Sequence, residues 1–183
     1  MIMTVADLRQ YINTDETDPV LEARLQALEL AIRAYTNNNF QVRAFRAVVD
    51  AVASGKTLLI SGNNPFKAND TLQITDSELN EGLVNIRTSS NGVITVKEDL
   101  YDEASVTITK VVYPADVKLG VANMLQWDIN NRDKAGIASE TISRHSVTYV
   151  DQTAANTLMG YPASLMGFLK PYKKARFGKG LSI

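Results

Sequence analysis

The chain has 183 residues, of which 45% are hydrophobic and 21% charged, so its composition is that of an ordinary folded protein. No apolar run approaches the roughly 18 residues that span a bilayer, and the N-terminus lacks a basic segment leading into an apolar core and a cleavage site. We therefore expect neither a membrane span nor secretion by a signal peptide. The absence of cysteine excludes disulfides, thiolate nucleophiles and cysteine-ligated metals, and fits assembly in a reducing cytoplasm.

The net charge of −1 conceals an uneven distribution. All 20 acidic residues precede Gln152, whereas the tail beyond it carries Lys170, Lys173, Lys174, Arg176 and Lys179. A basic tail on an acidic body can dock onto an acidic protein surface or touch a nucleic-acid backbone. Composition alone favours the alternative of a solvated chain end.

Two helices are predicted at the N-terminal end. The Thr4-Val5-Ala6-Asp7 pattern is that of a capping box and predicts a short helix to about Asn13. Pro19 suits the first position of a second helix, because its missing N–H would be unpaired there anyway. One apolar stripe follows at alternating steps of four and three residues, formed by Leu21, Leu25, Leu28, Ile32 and Tyr35. The Asn37-Asn38-Asn39 triplet ends that helix.

The region from Arg43 to Val112 predicts short strands instead. Turn-forming residues separate them, and Asn91-Gly92 is a strong signal for a two-residue hairpin. The predicted strands are Phe45–Val52, Thr57–Ile60, Thr71–Thr75, Leu83–Thr88, Val93–Val96 and Val106–Val112. Strands of this number and length are typical of a small antiparallel β-barrel or sandwich.

The C-terminal part returns to helical patterning. Pro114 begins a third helix, with Asp116 in its first turn favourably placed against the helix dipole. Its apolar face comprises Val117, Val121, Met124 and Leu125, and Trp127 and Ile129 extend it. Residues 140–150 predict an extended arm or strand, and residues 162–169 a short helix. The predicted fold class is therefore α+β: a small bundle of about four helices with an inserted β domain.

Two patterns are similar to catalytic motifs but lack residues that the chemistry requires. Gly55-Lys56-Thr57 is similar to the end of a phosphate-binding loop, but Asp50 stands where the first glycine belongs and no helix follows. His145 is the only histidine, and its neighbour Ser146 would point to the opposite face of an extended segment. We therefore expect a hairpin turn at Lys56 and a polar arm residue at His145.

Two further patterns have an ordinary structural interpretation. Asp99, Asp102 and Glu103 could bind a hard cation, yet they lack the alternating spacing and the turn glycine of an EF-hand, so a solvated turn is expected. Aromatic residues interleave with cations in the tail, as in proteins that stack single-stranded nucleic acid. They fall on a predicted helix and its exit, which favours packing against the chain itself or a protein partner.

A set of phrases in the outer parts of the chain carries a family resemblance. The C-terminal part contains Ser-Glu-Thr-Ile-Ser-Arg-His-Ser-Val-Thr-Tyr (139–149), then Met-Gly-Tyr-Pro (159–162) and Leu-Lys-Pro-Tyr-Lys-Lys-Ala-Arg-Phe (169–177). The N-terminal part contributes Val-Ala-Asp-Leu (5–8) and Tyr-Thr-Asn-Asn-Asn-Phe (35–40). In order and spacing these phrases resemble the head-to-tail connector (adaptor) proteins of long-tailed bacteriophages. None of them is a catalytic signature.

The resemblance implies three parts and a structural role. Residues 1–42 and 113–183 would form the helical connector domain, and 43–112 would be a β domain inserted into it, which compact connectors lack. The implied assembly is a ring of about twelve copies between portal and tail. Double-stranded DNA would pass through its channel without sequence recognition. The ring would belong to the virion at the head–tail junction and assemble in the host cytoplasm.

The expected partners and sites follow from that role. They are further copies of the chain, the portal protein and a downstream neck or tail-completion protein, with no cofactor, metal or membrane. The predicted portal contact consists of Tyr172, Lys173, Lys174, Arg176 and Phe177, which combine aromatic anchors and cations. The predicted arm onto a neighbouring subunit carries Ile142, Val147 and Tyr149.

A nucleic-acid-binding module is the alternative function, with a basic tail and a small barrel contacting phosphate. The acidic residues of the β region argue against it, because their potential repels phosphate. They include Asp70, Asp76, Glu78, Glu81, Asp99, Asp102 and Glu103. An enzyme is not expected, since no nucleophile, base and oxyanion donor can be assembled from these residues.

Overall fold

The computed structural model describes residues 1–53, 55–131, 139–142, 145–148 and 157–175. The chain divides into two compact units. The β unit comprises Met1 and Asn39–Tyr113, and the helical unit comprises Ile2–Asn38 and Pro114–Ile183. The predicted mixed α+β class is confirmed. The three-part division at residues 43 and 113 stays a prediction.

The helical unit begins with α1 (Val5–Leu8) and α2 (Asp18–Thr36). The predicted cap is present, because the Thr4 hydroxyl accepts the Asp7 N–H at 3.1 Å. The predicted end of α1 near Asn13 is wrong, since the helix stops at Leu8. The guanidinium of Arg9 binds the carbonyl oxygens of Thr14 and Glu16 at 3.1 and 2.7 Å, which folds the following loop back instead of extending the helix.

The third helix, α3, spans Ala115–Asn131. The apolar stripes of α2 and α3 are buried as predicted, because a period of 3.6 residues places them on one face of each helix. The members below one-tenth exposure are Leu21, Leu25, Leu28 and Ile32 on α2, and Val117, Val121, Met124 and Leu125 on α3. None of the helices in these described segments is long and apolar enough to cross a bilayer.

The C-terminal part contains two small hairpins and a 3-10 helix. The hairpins pair β8 (Ser139–Ile142) with β9 (His145–Thr148), and β10 (Thr157–Leu158) with β11 (Tyr161–Pro162). The 3-10 helix runs over Ala163–Tyr172, where an ordinary short helix to Leu169 was predicted. Pro171 lies inside it and has no N–H to donate, so the tighter turn carries the chain onward without an α-helical hydrogen bond at that position.

The β unit is one antiparallel sheet in the order β1-β7-β4-β5-β6-β3-β2. Its strands are β1 (Gln41–Val49), β2 (Ala51–Ala53), β3 (Gly55–Leu59), β4 (Thr71–Thr75), β5 (Gly82–Ser90), β6 (Val93–Leu100) and β7 (Val106–Val111). Strands β5 and β6 meet in the predicted two-residue turn, because Ser90 pairs with Val93 across Asn91 and Gly92. Both turn residues have positive φ, 45° and 79°, a conformation that Asn and Gly tolerate best.

One continuous stretch of chain occupies both ends of that strand order. β1 pairs with β7 from Gln41 to Val49, and the next residues, β2, pair with β3. Val52 also bridges to Glu103, just before β7. The core beneath the sheet consists of alternating apolar residues, among them Leu58, Leu72, Ile86, Ile94 and Ile108. The antiparallel β unit is thus confirmed, and its closure as a barrel or sandwich stays a prediction.

Candidate interaction surfaces

The C-terminal end of α2 binds the tail of the chain. Asn37 closes the helix in the left-handed conformation, with φ 49°. Its side-chain amide donates to the Ala175 carbonyl at 3.0 Å, and the amide of Asn38 donates to the Tyr172 carbonyl at 3.1 Å. The Lys174 N–H donates to the Thr36 carbonyl at 2.8 Å, which satisfies an acceptor at the end of the helix. We call this set, Thr36–Asn38 with Tyr172–Ala175, the tail anchor.

Two side-chain contacts reinforce the tail anchor. The Tyr172 hydroxyl lies 2.8 Å from both carboxylate oxygens of Asp116, in the first turn of α3. This hydrogen bond, with a smaller contribution from desolvation, raises the pKa of the Tyr172 phenol above its usual value of 10.0. The ammonium of Lys173 lies 3.8 Å from the ring centroid of Tyr35, within the range of a cation–π contact. The tail is therefore held to both α2 and α3.

The structure brings together three of the five residues predicted to contact the portal. Tyr172, Lys173 and Lys174 lie in the tail anchor, where Tyr172 is half-buried and both lysines are exposed. Arg176 and Phe177 lie outside the described residues. Although the tail sequence contains no acidic residue, Tyr172 has an acidic neighbour, because Asp116 is distant in sequence but adjacent in the fold.

Sequence reasoning missed the residues that hold the tail. The sequence predicts only a helix end at Asn37 and Asn38, yet the side-chain amide of each also donates to a tail carbonyl. Asp116 was read only as a dipole partner of α3. One sequence feature could have pointed to this contact. Both asparagines and the tail belong to phrases that resemble phage connectors, 35–40 and 169–177, and two such phrases can share a structural role.

The predicted arm forms a hairpin. Ile142 lies at the end of β8, where its backbone pairs with His145, and Val147 in β9 pairs with Glu140. Tyr149 lies outside the described residues. His145 and Ser146 are consecutive residues of β9, as the sequence indicated. Whether the arm binds a neighbouring subunit stays a prediction.

A groove in the helical unit has a volume of about 440 Å³. Its lining is Arg24, Ala27, Leu28 and Ala31 of α2, Leu125 and Asp128 of α3, and Met159 and Tyr161. The buried Asp128 accepts the Tyr161 hydroxyl at 2.7 Å and lies 3.8 Å from the Arg24 guanidinium. Its charge is thus compensated within the protein, so the groove presents apolar surface rather than a reactive group.

A polar network joins two loops of the β unit. The Glu103 carboxylate accepts the Ser77 hydroxyl at 2.7 Å, the Glu78 N–H at 2.8 Å and the Asn80 amide at 2.8 Å. The Asn80 side chain also pairs with the backbone of Tyr101, donating at 2.9 Å and accepting at 2.8 Å. The hydrogen bond from Ser77 is the largest cause that lowers the Glu103 pKa below 4.5. We call Ser77, Asn80 and Glu103 the loop clamp.

The loop clamp presents an apolar pair to solvent. Leu79 is 59% exposed and Tyr101 is 68% exposed, although the clamp fixes the backbone beside both. They line a depression of about 170 Å³ together with Glu81, Glu98 and Asp99, among others. We call Leu79 and Tyr101, together with Glu81, Glu98 and Asp99, the loop tip. Asp76, Glu78 and Asp102 lie on the same two loops.

The structure supports neither a phosphate-binding loop at Lys56 nor a metal site among the described acidic residues. Lys56 lies in β3, where its ammonium donates to the Lys97 carbonyl at 3.0 Å and lies 3.2 Å from Asp99. No helix begins there, so the residues of a phosphate-binding loop are not arranged around Lys56. Within the described parts of the chain, no group of three His, Cys, Asp or Glu is arranged to hold a metal ion.

Comparison with solved structures gives several matches, and two of them are weak likenesses to parts of phage-like particles. No protein-family model and no curated protein matches the chain. A chain in the neck of an empty GTA particle is 14% identical with a TM-score of 0.35, over 98% of this chain and 93% of that one. The tailspike protein gp49 of Pseudomonas phage LKA1 is 22% identical with a TM-score of 0.30, over 36% of this chain. This chain spans 14% of the tailspike's length, and both scores are too low to carry a functional argument.

Proposed function

We propose that this chain is a non-enzymatic structural protein of a long-tailed phage, forming a ring between the portal and the tail. The observation that carries the proposal is the tail anchor. Two phrases that resemble phage connectors, 35–40 and 169–177, lie far apart in sequence and bind each other through three hydrogen bonds. This contact gives a physical reason for the two phrases to occur in the same chain.

The tail anchor also supports a specific portal contact. It fixes the backbone at Tyr172, Lys173 and Lys174 and leaves both lysine side chains exposed. A segment held in place before binding loses less conformational entropy on binding than a free chain end. We infer that Lys173, Lys174, Arg176 and Phe177 meet the portal, with Tyr172 holding the segment to the helical unit.

The remaining parts of the chain have roles in the same ring. The hairpin β8–β9, with Ile142, Val147 and Tyr149 on the arm, would pack on the neighbouring subunit. Duplex DNA would pass through the channel without sequence recognition, since acidic groups on the body oppose adhesion of phosphate. Assembly would take place in the host cytoplasm, and the mature ring would belong to the virion.

The β unit would close as a small barrel inserted in the helical domain. β1 and β2 are successive segments of one stretch, and they pair with the strands at opposite ends of the order, β7 and β3. The backbone N–H of Asp50, between them, also donates to the Leu59 carbonyl at 2.9 Å. A bent strand that serves both sheet edges leaves few unpaired edge groups, which limits aggregation in a ring component.

The nucleic-acid-binding alternative has less support. The Lys173 ammonium already lies over the Tyr35 ring, and the Tyr172 hydroxyl is bound to Asp116, whose carboxylate would repel phosphate beside the tail. The β unit presents the acids of the loop tip, which would repel phosphate.

A mass measurement of the purified chain, alone and mixed with portal protein, tests the proposal. The expected result is a ring or a portal-dependent complex. A monomer that ignores portal and binds duplex DNA would establish the alternative instead. The matched variant pair is Lys174→Ala, which should weaken the portal complex, and Lys118→Ala on α3, which lies outside the tail and should not. Loss of the complex in both variants would contradict the tail as the portal contact.

A further inference from the structure

The loop tip combines features that a solvated turn does not require. Large apolar side chains exposed at a loop end forgo the free energy that burial would supply, and exposed apolar side chains that lie together can mark an interaction site. Leu79 and Tyr101 come from different loops, β4–β5 and β6–β7, and both line the same depression. Their adjacency is therefore a property of the fold and not of local composition.

The loop clamp fixes this pair in advance of any contact. Asn80, next to Leu79, makes reciprocal hydrogen bonds with the backbone of Tyr101, and Glu103 ties Ser77 and the Glu78 N–H to the second loop. Asn80 is only 7% exposed, so its own hydrogen bonds are shielded from competing water. A preorganised surface loses little entropy on binding, which is the arrangement expected of an interface anchor.

The charge around the pair selects the partner's chemistry. Glu81 and Asp99 line the depression, and Glu78 and Asp102 are exposed on the same loops. Asp99 is 87% exposed in its side chain, and its ion pair with Lys56, at 3.2 Å, is correspondingly weak. A lysine or arginine side chain fits such a depression, since its aliphatic stem can pack on Leu79 and the Tyr101 ring while its charge meets the carboxylates.

We propose that the loop tip is the docking surface for a basic segment of a second virion protein, led by a lysine or arginine side chain that enters the depression between Leu79 and Tyr101. This inference rests on the proposed function, in which the ring carries the next neck or tail protein. A phosphate backbone is disfavoured by the same carboxylates. A second copy of this chain is the other occupant that the experiment must distinguish.

The test uses rings of the full chain on DNA-filled, portal-bearing heads, with purified tails added. The variants are the double change Leu79→Ala with Tyr101→Ala, and the charge change Glu81→Lys. Val93→Ala is the matched control, because Val93 is exposed at the hairpin between β5 and β6 and does not line the depression. Equal thermal unfolding of all variants and wild type verifies that the exposed changes leave the fold intact.

Both loop-tip variants are expected to form portal-bound rings but to join tails at least about tenfold less efficiently, while Val93→Ala joins normally. Salt should weaken the wild-type contact, since charge attracts the partner. Normal tail joining by both variants overturns the inference. Loss of the ring itself in folded loop-tip variants shows an interface between copies and also overturns it. Failure of the wild-type chain to form a portal complex would instead sink the proposed function.

Discussion

The hydroxyl of Tyr172 donates to Asp116 at 2.8 Å, which joins the end of the 3-10 helix to the first turn of α3. Asp116 thereby serves two interactions, because its carboxylate also lies at the positive end of the α3 dipole. Composition alone predicts a solvated chain end, but this contact fixes the tail at Tyr172 to the helical unit.

Replacing Tyr172 by Phe is expected to destabilise the helical unit below about pH 10 and to have less effect above it. Asp116 raises the Tyr172 pKa in the folded chain, so the stabilisation is complete below the unfolded-state value and is lost as pH rises through the folded one. Urea unfolding of wild type and Tyr172→Phe across pH 8–11 measures the difference. A constant difference over that range would show that the hydroxyl's ionisation is not linked to folding.

Shortening the tail should have two distinct effects. Truncation after Ala175 keeps the tail anchor and should leave the helical unit as stable as in the full chain. Truncation after Leu169 removes three hydrogen bonds to the end of α2 and should destabilise the unit by about 1–3 kcal/mol. Thermal and urea unfolding compare the two chains. Equal stability of both would mean that the tail anchor contributes nothing in solution.

Acid should loosen the loop clamp. Glu103 has a pKa lowered by its hydrogen bonds, so its contribution to stability is present above the unfolded-state value of 4.5 and is lost as pH falls through the folded value. Glu103→Gln should therefore unfold more easily than wild type at pH 7, and the difference should narrow as pH falls below 4.5. Glu78→Gln, which keeps the Glu78 N–H donor, is the control. A difference between Glu103→Gln and wild type that does not change as pH falls below 4.5 would contradict the linkage.

Gly120 should not tolerate a side chain. A Cβ at this position would overlap the ring of Phe168, so Gly120→Ala should destabilise the helical unit by about 1–2 kcal/mol despite alanine's better helix propensity. Gly167→Ala is the matched control, because a Cβ there meets no atom within 4 Å. The double change Gly120→Ala with Phe168→Ala should cost less than the sum of the single changes. Strict additivity would show that the two residues do not compete for space.

The β unit should be separable from the helical unit. Replacing residues 41–112 by a short Gly/Ser linker between Phe40 and Tyr113 is expected to leave a soluble helical chain, and Asn39–Tyr113 alone should fold as β structure. Circular dichroism of both pieces provides the measurement. Collapse of the helical signal in the shortened chain would show that the two units share one core.

Local patterns predicted the elements well because each depended on nearby residues. The Thr4 cap, the α2 and α3 stripes and the Asn91-Gly92 turn all follow from period or backbone preference within a few residues. The end of α1 was mispredicted because it depends on a side chain, Arg9, reaching forward to carbonyls of the next loop. Propensity carries no information about that contact.

The contacts at the candidate surfaces could not be predicted from the sequence. The sequence predicts a solvated turn at Asp99, Asp102 and Glu103, because the link of Glu103 to Ser77 and Asn80 requires the β4–β5 and β6–β7 loops to meet. The tail was read correctly as basic and aromatic, but its partners on α2 and α3 are set by tertiary packing. Distant hydrogen-bond partners leave no periodic signal along the chain.

The β unit holds its own two ends together, since Val112 donates to the Phe40 carbonyl at 3.0 Å and the rings of Phe40 and Tyr113 lie 4.8 Å apart. The entropy lost on closing a loop grows with its length, so a long unfolded connection would oppose the meeting of α2 and α3. Once the sheet has formed, the effective connection between those helices is only a few residues long. If the β unit folds first, closure of the helical unit therefore costs less entropy, so an inserted domain would assist the folding of the domain that contains it.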